Sequence, residues 1–227
     1  MLQALGNNIW VVARPFQFMG LETGTRMTVM RLANGELVLH SPVQLNQELN
    51  LQLKALGRPA YILAPNRFHH LGVGDYLTAF PDIRVFLAPG LDKKRGDLPC
   101  HGILPKDQPP QWQGEIELEL FGGAPLVSEV IVFHAPSRTL ILTDLAFNFR
   151  HPQGFGLRMY LRMNSALGRV ATPWLMRRLT RDKAAARASL QRVLKWDFQR
   201  IVVSHGEVVE EHARLIFEDT FSWALTG

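Results

Sequence analysis

Along the first forty residues apolar positions come in short alternating bursts, "NIWVVARP", "RMTVMRL" and "ELVLH", broken by polar turns such as "ANG". A period of two describes strands, so this region reads as a β-meander. The period then lengthens to that of a helix in "VQLNQELNLQLKALG", with Ser41 and Pro42 where a cap and first helical residue belong and Gly57 at the end. "YILA" reads as a short buried strand, "GDYLTAFP" as a short helix and "RVFLAP" as another strand. Strand, helix, strand, helix, strand implies parallel pairing with helices on the faces.

Residues 93–113 are polar and proline-rich and suit a long surface connection. Strand patterns return in "EIELELF", "SEVIVFH" and "TLILTD", the last two joined by the turn "APSR", as a second meander. Two helical stretches follow at about 156–179 and 182–196, then the strand "RIVVSHG" and a closing helix at about 208–221. No repeat is visible by identity, yet a meander followed by βα units occurs twice. The expected fold class is α/β, a sandwich within one domain spanning 1–227, with a basic helical insertion at about 150–200.

Composition adds three constraints. A chain of 227 residues with 47% hydrophobic content can bury a substantial core. Neither a long uncharged apolar run nor a signal-peptide pattern is present, and the expected location is cytoplasmic. The single cysteine, Cys100, allows no internal disulfide and no paired-cysteine zinc motif, and is expected to be inert, in or near the core. The net charge of +5 is uneven: residues 150–200 hold twelve Lys or Arg against Asp182 and Asp197, +10, leaving −5 for the rest. This points to an anionic partner or to a solvated helical face.

Candidate chemistry sits at strand ends: His69 and His70 after "YILAP", Asp144 after "LILT", His205 after "IVVS". In an α/β sandwich strand ends on one edge converge, so residues distant in sequence can meet. Each alone has another reading: Asp144 as a turn cap, His205 with Gly206 as a helix start, His69 or His70 as surface residues.

"PNRFHHLG", "RTLILTDLAF" and "IVVSHGEVV" together resemble the ligand segments of the metallo-β-lactamase superfamily, and the resemblance covers nearly the whole chain. It is nearest to a branch known as a domain of unknown function, through "RPFQFMGLETGTRMTV" and "PNRFHHLG". The resemblance implies a four-layer αββα sandwich. It also implies that the first metal's ligands are gone, replaced by Pro65, Arg67 and a segment near Pro125. A second set survives as His70, Asp144 and His205, with His69 in place of the motif's Asp. One divalent transition metal is then expected on His69, His70, Asp144 and His205, zinc first, with iron or manganese as alternatives. Arg67 would stand where the first metal was, binding a substrate anion or an oxyanion, or else pairing with a neighbouring acid.

His40 reads as support for a ligand or as a buried core histidine, His134 as a turn residue, and His101, His151 and His212 as surface. The function implied is a metal-dependent hydrolase with a mononuclear site, acting on an anionic small molecule, with Arg67 and Asp144 as catalytic groups. The alternative is a non-catalytic module that binds an anionic membrane surface through residues 150–200, where aromatic and aliphatic residues interleave with arginines. Nucleic acid is disfavoured, because the depleted motif does not suit two-metal phosphodiester chemistry.

Overall fold

The structure, a computed structural model, describes residues 1–164 and 166–226. Its first half contains β1 (Gln3–Gly6), β2 (Ile9–Arg14), a small hairpin of β3 (Gln17–Phe18) and β4 (Leu21–Glu22), β5 (Thr25–Arg31), β6 (Glu36–His40), helix α1 (Gln47–Leu56), β7 (Arg58–Ala64), α2 (Val73–Ala79), β8 (Arg84–Leu87), α3 (Leu91–Lys94) and β9 (Gly102–Ile103). Seven of these strands form one sheet in the order β1-β2-β5-β6-β7-β8-β9. Pairing is antiparallel as far as β6 and parallel beyond it.

The second half contains β10 (Ile116–Leu120), β11 (Val130–His134), β12 (Thr139–Leu142), β13 (Phe147–Asn148), α4 (Phe155–Met163), β14 (Val170–Ala171), α5 (Trp174–Leu179), α6 (Lys183–Val193), β15 (Arg200–Val203), α7 (Ala213–Thr220) and α8 (Ser222–Leu225). Its main sheet runs β10-β11-β12-β15, with β15 parallel to β12.

Strands β7, β11, β12 and β15 are buried almost throughout because both faces of each sheet are covered, and alternate residues enter different cores. On β7, Tyr61 and Leu63 face the other sheet and meet Ile141 and Val202, while Ile62 packs under α1 and α2 with Leu53 and Tyr76. On β12, Ile141 points between the sheets while Leu140 and Leu142 pack towards α6 and α7, against Leu190 and Phe217. The layers are therefore helix, sheet, sheet, helix. Leu142 and Val203 lie side by side in register, and the Val130 N–H donates to the Pro65 carbonyl at 2.7 Å, so the ends of β7, β12 and β15 open on one edge.

Three local readings differ from the sequence pattern. Helix α1 begins at Gln47, capped by Asn46, whose Oδ1 accepts from the Leu49 N–H at 2.9 Å. Ser41 cannot cap it, since its backbone is left-handed (φ 54°) and its hydroxyl is committed elsewhere. The stretch 156–179 is two helices, α4 and α5, separated by the left-handed Gly168, strand β14 and Pro173. Cys100 is exposed rather than in or near the core, because it lies in the polar connection before β9. No described helix is long and apolar enough to cross a membrane.

Candidate metal centre

Beyond the end of β7 the Asn66 side chain folds back on its own chain: Oδ1 accepts from the N–H groups of Phe68 (2.8 Å) and His69 (2.9 Å). This turn sends His69 inward, where its Nδ1 meets the Ser41 hydroxyl at 2.7 Å. Beyond β12, the N–H groups of Thr143 and Asp144 donate to the carboxylate of Glu129, at 2.7 and 2.8 Å. Beyond β15, His205 donates from Nδ1 to the carbonyl of Gly24 at 2.8 Å. A carbonyl can only accept, so in the neutral ring the proton sits on Nδ1 and the Nε2 lone pair faces the other way.

Three atoms meet there. His69 Nε2 and His205 Nε2 are 3.3 Å apart, and each is 3.4 Å from Asp144 Oδ1. When neutral His69 donates from Nδ1 to the Ser41 hydroxyl, the three inward atoms are all acceptors that a shared proton or a cation satisfies; when the hydroxyl donates instead, the ring's own proton sits on Nε2 and is the shared one. The edges match the roughly 3.3–3.4 Å separation of two ligands on a tetrahedral ion with bonds of about 2.0–2.1 Å. Two imidazoles and a carboxylate, oriented from behind by Gly24, Ser41 and Asn66, are a donor set that fits a divalent transition metal.

The electrostatics agree with that geometry. Burial opposes the ionised Asp144, but the neighbouring His69 and then His205 outweigh it and hold the carboxyl well below the ordinary carboxylate range. Burial likewise lowers His69, yet Asp144 raises it overall above an ordinary histidine. Glu129, fully buried, is pushed up by burial and then by the charge of Asp144. The Asn66 amide lies between these carboxylates, with Nδ2 2.7 Å from Asp144 Oδ2, 2.9 Å from Thr143 Oγ1 and 3.2 Å from Glu129 Oε2.

Of the four expected ligands, His69, Asp144 and His205 stand together and His70 does not join them. In the tight turn set by Asn66 adjacent side chains point different ways, and His70 presents Nδ1 to Arg95 Nη1 at 2.8 Å. Burial and the cations Arg95 and Lys94 push it down to about 4. Arg67 also departs from expectation. Its guanidinium packs beside Gly90, whose missing Cβ would lie 3.7 Å from Arg67 Cζ, and it is not among the residues lining the cavity. The cations that do line the cavity are Arg14 and Lys94.

His40 is buried with both ring nitrogens unpartnered, and burial drives it down to about 3. His134 is the buried last residue of β11, its Nδ1 2.7 Å from Ser137 Oγ, rather than part of the turn that follows. Sequence reasoning missed Glu129, Asn66, Ser41 and Gly24. An acid inside the apolar run "SEVIVFH" was a signal for the first, and an Asn three residues before a histidine for the second.

The triad lies in the wall of a cavity of about 1040 Å³. The remaining walls are mostly apolar: Phe16 before the hairpin and Leu21 within it, Phe147, Tyr160 of α4, and Leu175 and Met176 of α5.

A family model described as Domain of unknown function (DUF4336) matches residues 6–153. No curated protein sequence matches the chain. Among solved structures the chain is similar to a metallo-beta-lactamase from Pontibacter korlensis, at 13% identity and TM-score 0.67, covering 100% of this chain and 99% of that one. It is similar to the FIM-1 metallo-beta-lactamase from Pseudomonas aeruginosa in its mono-zinc form, at 12% identity and TM-score 0.66, covering 100% and 95%. A metallo-beta-lactamase from Hirschia baltica gives 13% identity and TM-score 0.66, covering 99% and 97%. The fold is therefore that of the metallo-β-lactamases.

Proposed function

We propose that this chain, which belongs to the DUF4336 family, is a metal-dependent hydrolase with one divalent ion held by His69, Asp144 and His205, acting on a small molecule with an apolar body and an anionic group. The observation that supports it best is the triangle of acceptor atoms at 3.3–3.4 Å, each backed by a second hydrogen bond that leaves the inward atom free. When bound, the ion would polarise a carbonyl and acidify a water towards a pKa of about 7.

The remaining work falls to the chain's own residues. Gly24 fixes the His205 tautomer, Ser41 holds the His69 ring, and Asn66 engages Asp144 Oδ2 so that Oδ1 faces the cluster. The apolar wall of Phe16, Leu21, Phe147 and Leu175 excludes bulk water and strengthens each electrostatic contact inside. Arg14 and Lys94 supply positive charge for an anionic substrate group, the role that Arg67 is turned away from.

Protein purified without added metal, then dialysed against zinc, iron(II) or manganese, should retain one equivalent, and His205→Ala should retain none. A screen of esters, thioesters and amides bearing a carboxylate or phosphate tests catalysis. Activity shared by the protein and its His205→Ala variant, or absent from every class in the metal-loaded protein, would reject the hydrolase.

A further inference from the structure

The entrance to the cavity carries an apolar surface that no packing within the chain requires. Phe18 and Leu175 line the cavity yet are 49% and 43% exposed, and Met19, at the tip of the β3–β4 hairpin, is 86% exposed. Helix α4 continues this surface. Phe155, Met159 and Met163 recur every fourth residue and are exposed, spanning an arc of about 80° at roughly 100° per residue. On one side of that stripe lie Gly156, whose Cβ position is 3.3 Å from Leu21 of the hairpin, and Tyr160, which lines the cavity. On the other side lie the exposed Arg158 and Arg162. Leu157 and Leu161 hold the opposite face in the core.

Charge identifies what this surface meets. Between Arg150 and Arg181 the sequence has seven arginines and no Asp or Glu. Trp174, 58% exposed at the start of α5, has the Arg178 guanidinium 5.6 Å over its ring. Exposed Phe, Met and Trp beside arginines form an interfacial surface, apolar groups at the depth of the acyl boundary and cations at the headgroups. A nucleic acid would be served by the arginines but not by exposed Met19, Phe155 and Met163.

We infer that the hairpin tip, α4 and the start of α5 dock on an anionic lipid bilayer, and that the cavity takes its substrate from that bilayer as an amphiphile with an acyl-like chain and an anionic head. The chain lies against Phe16, Leu21 and Leu175 and the head against Arg14 and Lys94. The docking stands on the rim alone; the substrate class rests on the cavity being the substrate site of the proposed hydrolase.

The test uses the full chain with vesicles of phosphatidylcholine, alone or mixed with phosphatidylglycerol. Binding is expected to the mixed vesicles, with affinity falling steeply as salt rises and the Debye length shrinks to about 8 Å. Brominated lipid should quench tryptophan emission, and Trp174→Phe should remove most of that quenching. Arg158→Glu with Arg162→Glu, and separately Phe155→Ser with Met159→Ser, should each weaken binding by about tenfold or more with melting temperature unchanged, since all four side chains are exposed. Parinaric acid, an anionic acyl probe, should bind the protein and lose affinity by about tenfold in Leu175→Glu. His205→Ala should bind vesicles normally, so loss of metal or turnover and loss of docking are read separately. No binding to mixed vesicles at low salt, equal binding to neutral ones, or binding to single-stranded RNA in place of vesicles would overturn the docking. Unchanged parinaric acid affinity in Leu175→Glu would overturn the substrate class.

Discussion

Asn66 shows how much one residue can determine at this site. Its carbonyl oxygen takes two backbone N–H groups and sets the turn that separates His69 from His70, while its amide keeps Asp144 and Glu129 apart. Asn66→Ala therefore removes a turn and the one side-chain amide that lies between the two buried carboxylates. A destabilisation of about 2–3 kcal/mol is expected, read by urea denaturation, together with loss of metal retention. Full stability and full metal content in that variant would show that the backbone, not Asn66, sets the turn. Asp144 and His205 were legible in the sequence because each follows an apolar strand closely, and the pair His69 and His70 was legible too, but not which of the two faces the cluster. Asn66 and Glu129 were not: their roles depend on one another across 63 residues of chain, and neither type is diagnostic alone.

At the scale of elements, the short strand β13 clamps the loop after β15. Asn148 donates to the His205 carbonyl at 3.0 Å, accepts from the Glu207 N–H at 2.7 Å and sends its amide to the Glu207 carbonyl at 2.8 Å. Arg26 of β5 reaches across to the carbonyls of Val203 and, at 2.6 Å, Gly206. Gly206 has φ +98°, and a Cβ there would strike the Asn148 carbonyl, so the clamp closes only over glycine. Gly206→Ala should cost about 2 kcal/mol or more and lower metal affinity by roughly 10- to 100-fold, as for loss of an outer partner of a ligand. Gly35→Ala, left-handed at φ +83° but in open space, should cost about 1 kcal/mol and leave metal binding intact. Equal metal affinity in the two variants would separate the clamp from the site. The longer strands and the parallel run β6-β7-β8 were readable from period and punctuation, whereas β9, two residues inside the polar stretch 93–113, was not. The break between α4 and α5 was not, because residues 156–179 keep a helical mix of apolar and basic residues across it.

Across the whole molecule, the triad joins the two halves. His69 comes from the turn after β7 in the first sheet, and Asp144 and His205 follow β12 and β15 in the second, the two histidines being 136 positions apart in sequence. The unfolded chain has no such assembled site, so an ion held by all three binds the folded state and its binding energy appears as folding stability. Zinc at about 100 times its dissociation constant would add about 2.7 kcal/mol, and at roughly 2–4 °C per kcal/mol for a chain of this size the melting temperature should rise by about 5–10 °C. A chelator should reverse the rise. Because His70 faces Arg95 instead of the triad, His70→Ala should keep the zinc-dependent shift, whereas His69→Ala should lose it. Differential scanning fluorimetry of the three proteins with and without zinc reads the difference directly. A shift that survives in His69→Ala and vanishes in His70→Ala would exchange their roles and place the ion on the outer side of the turn that Asn66 builds.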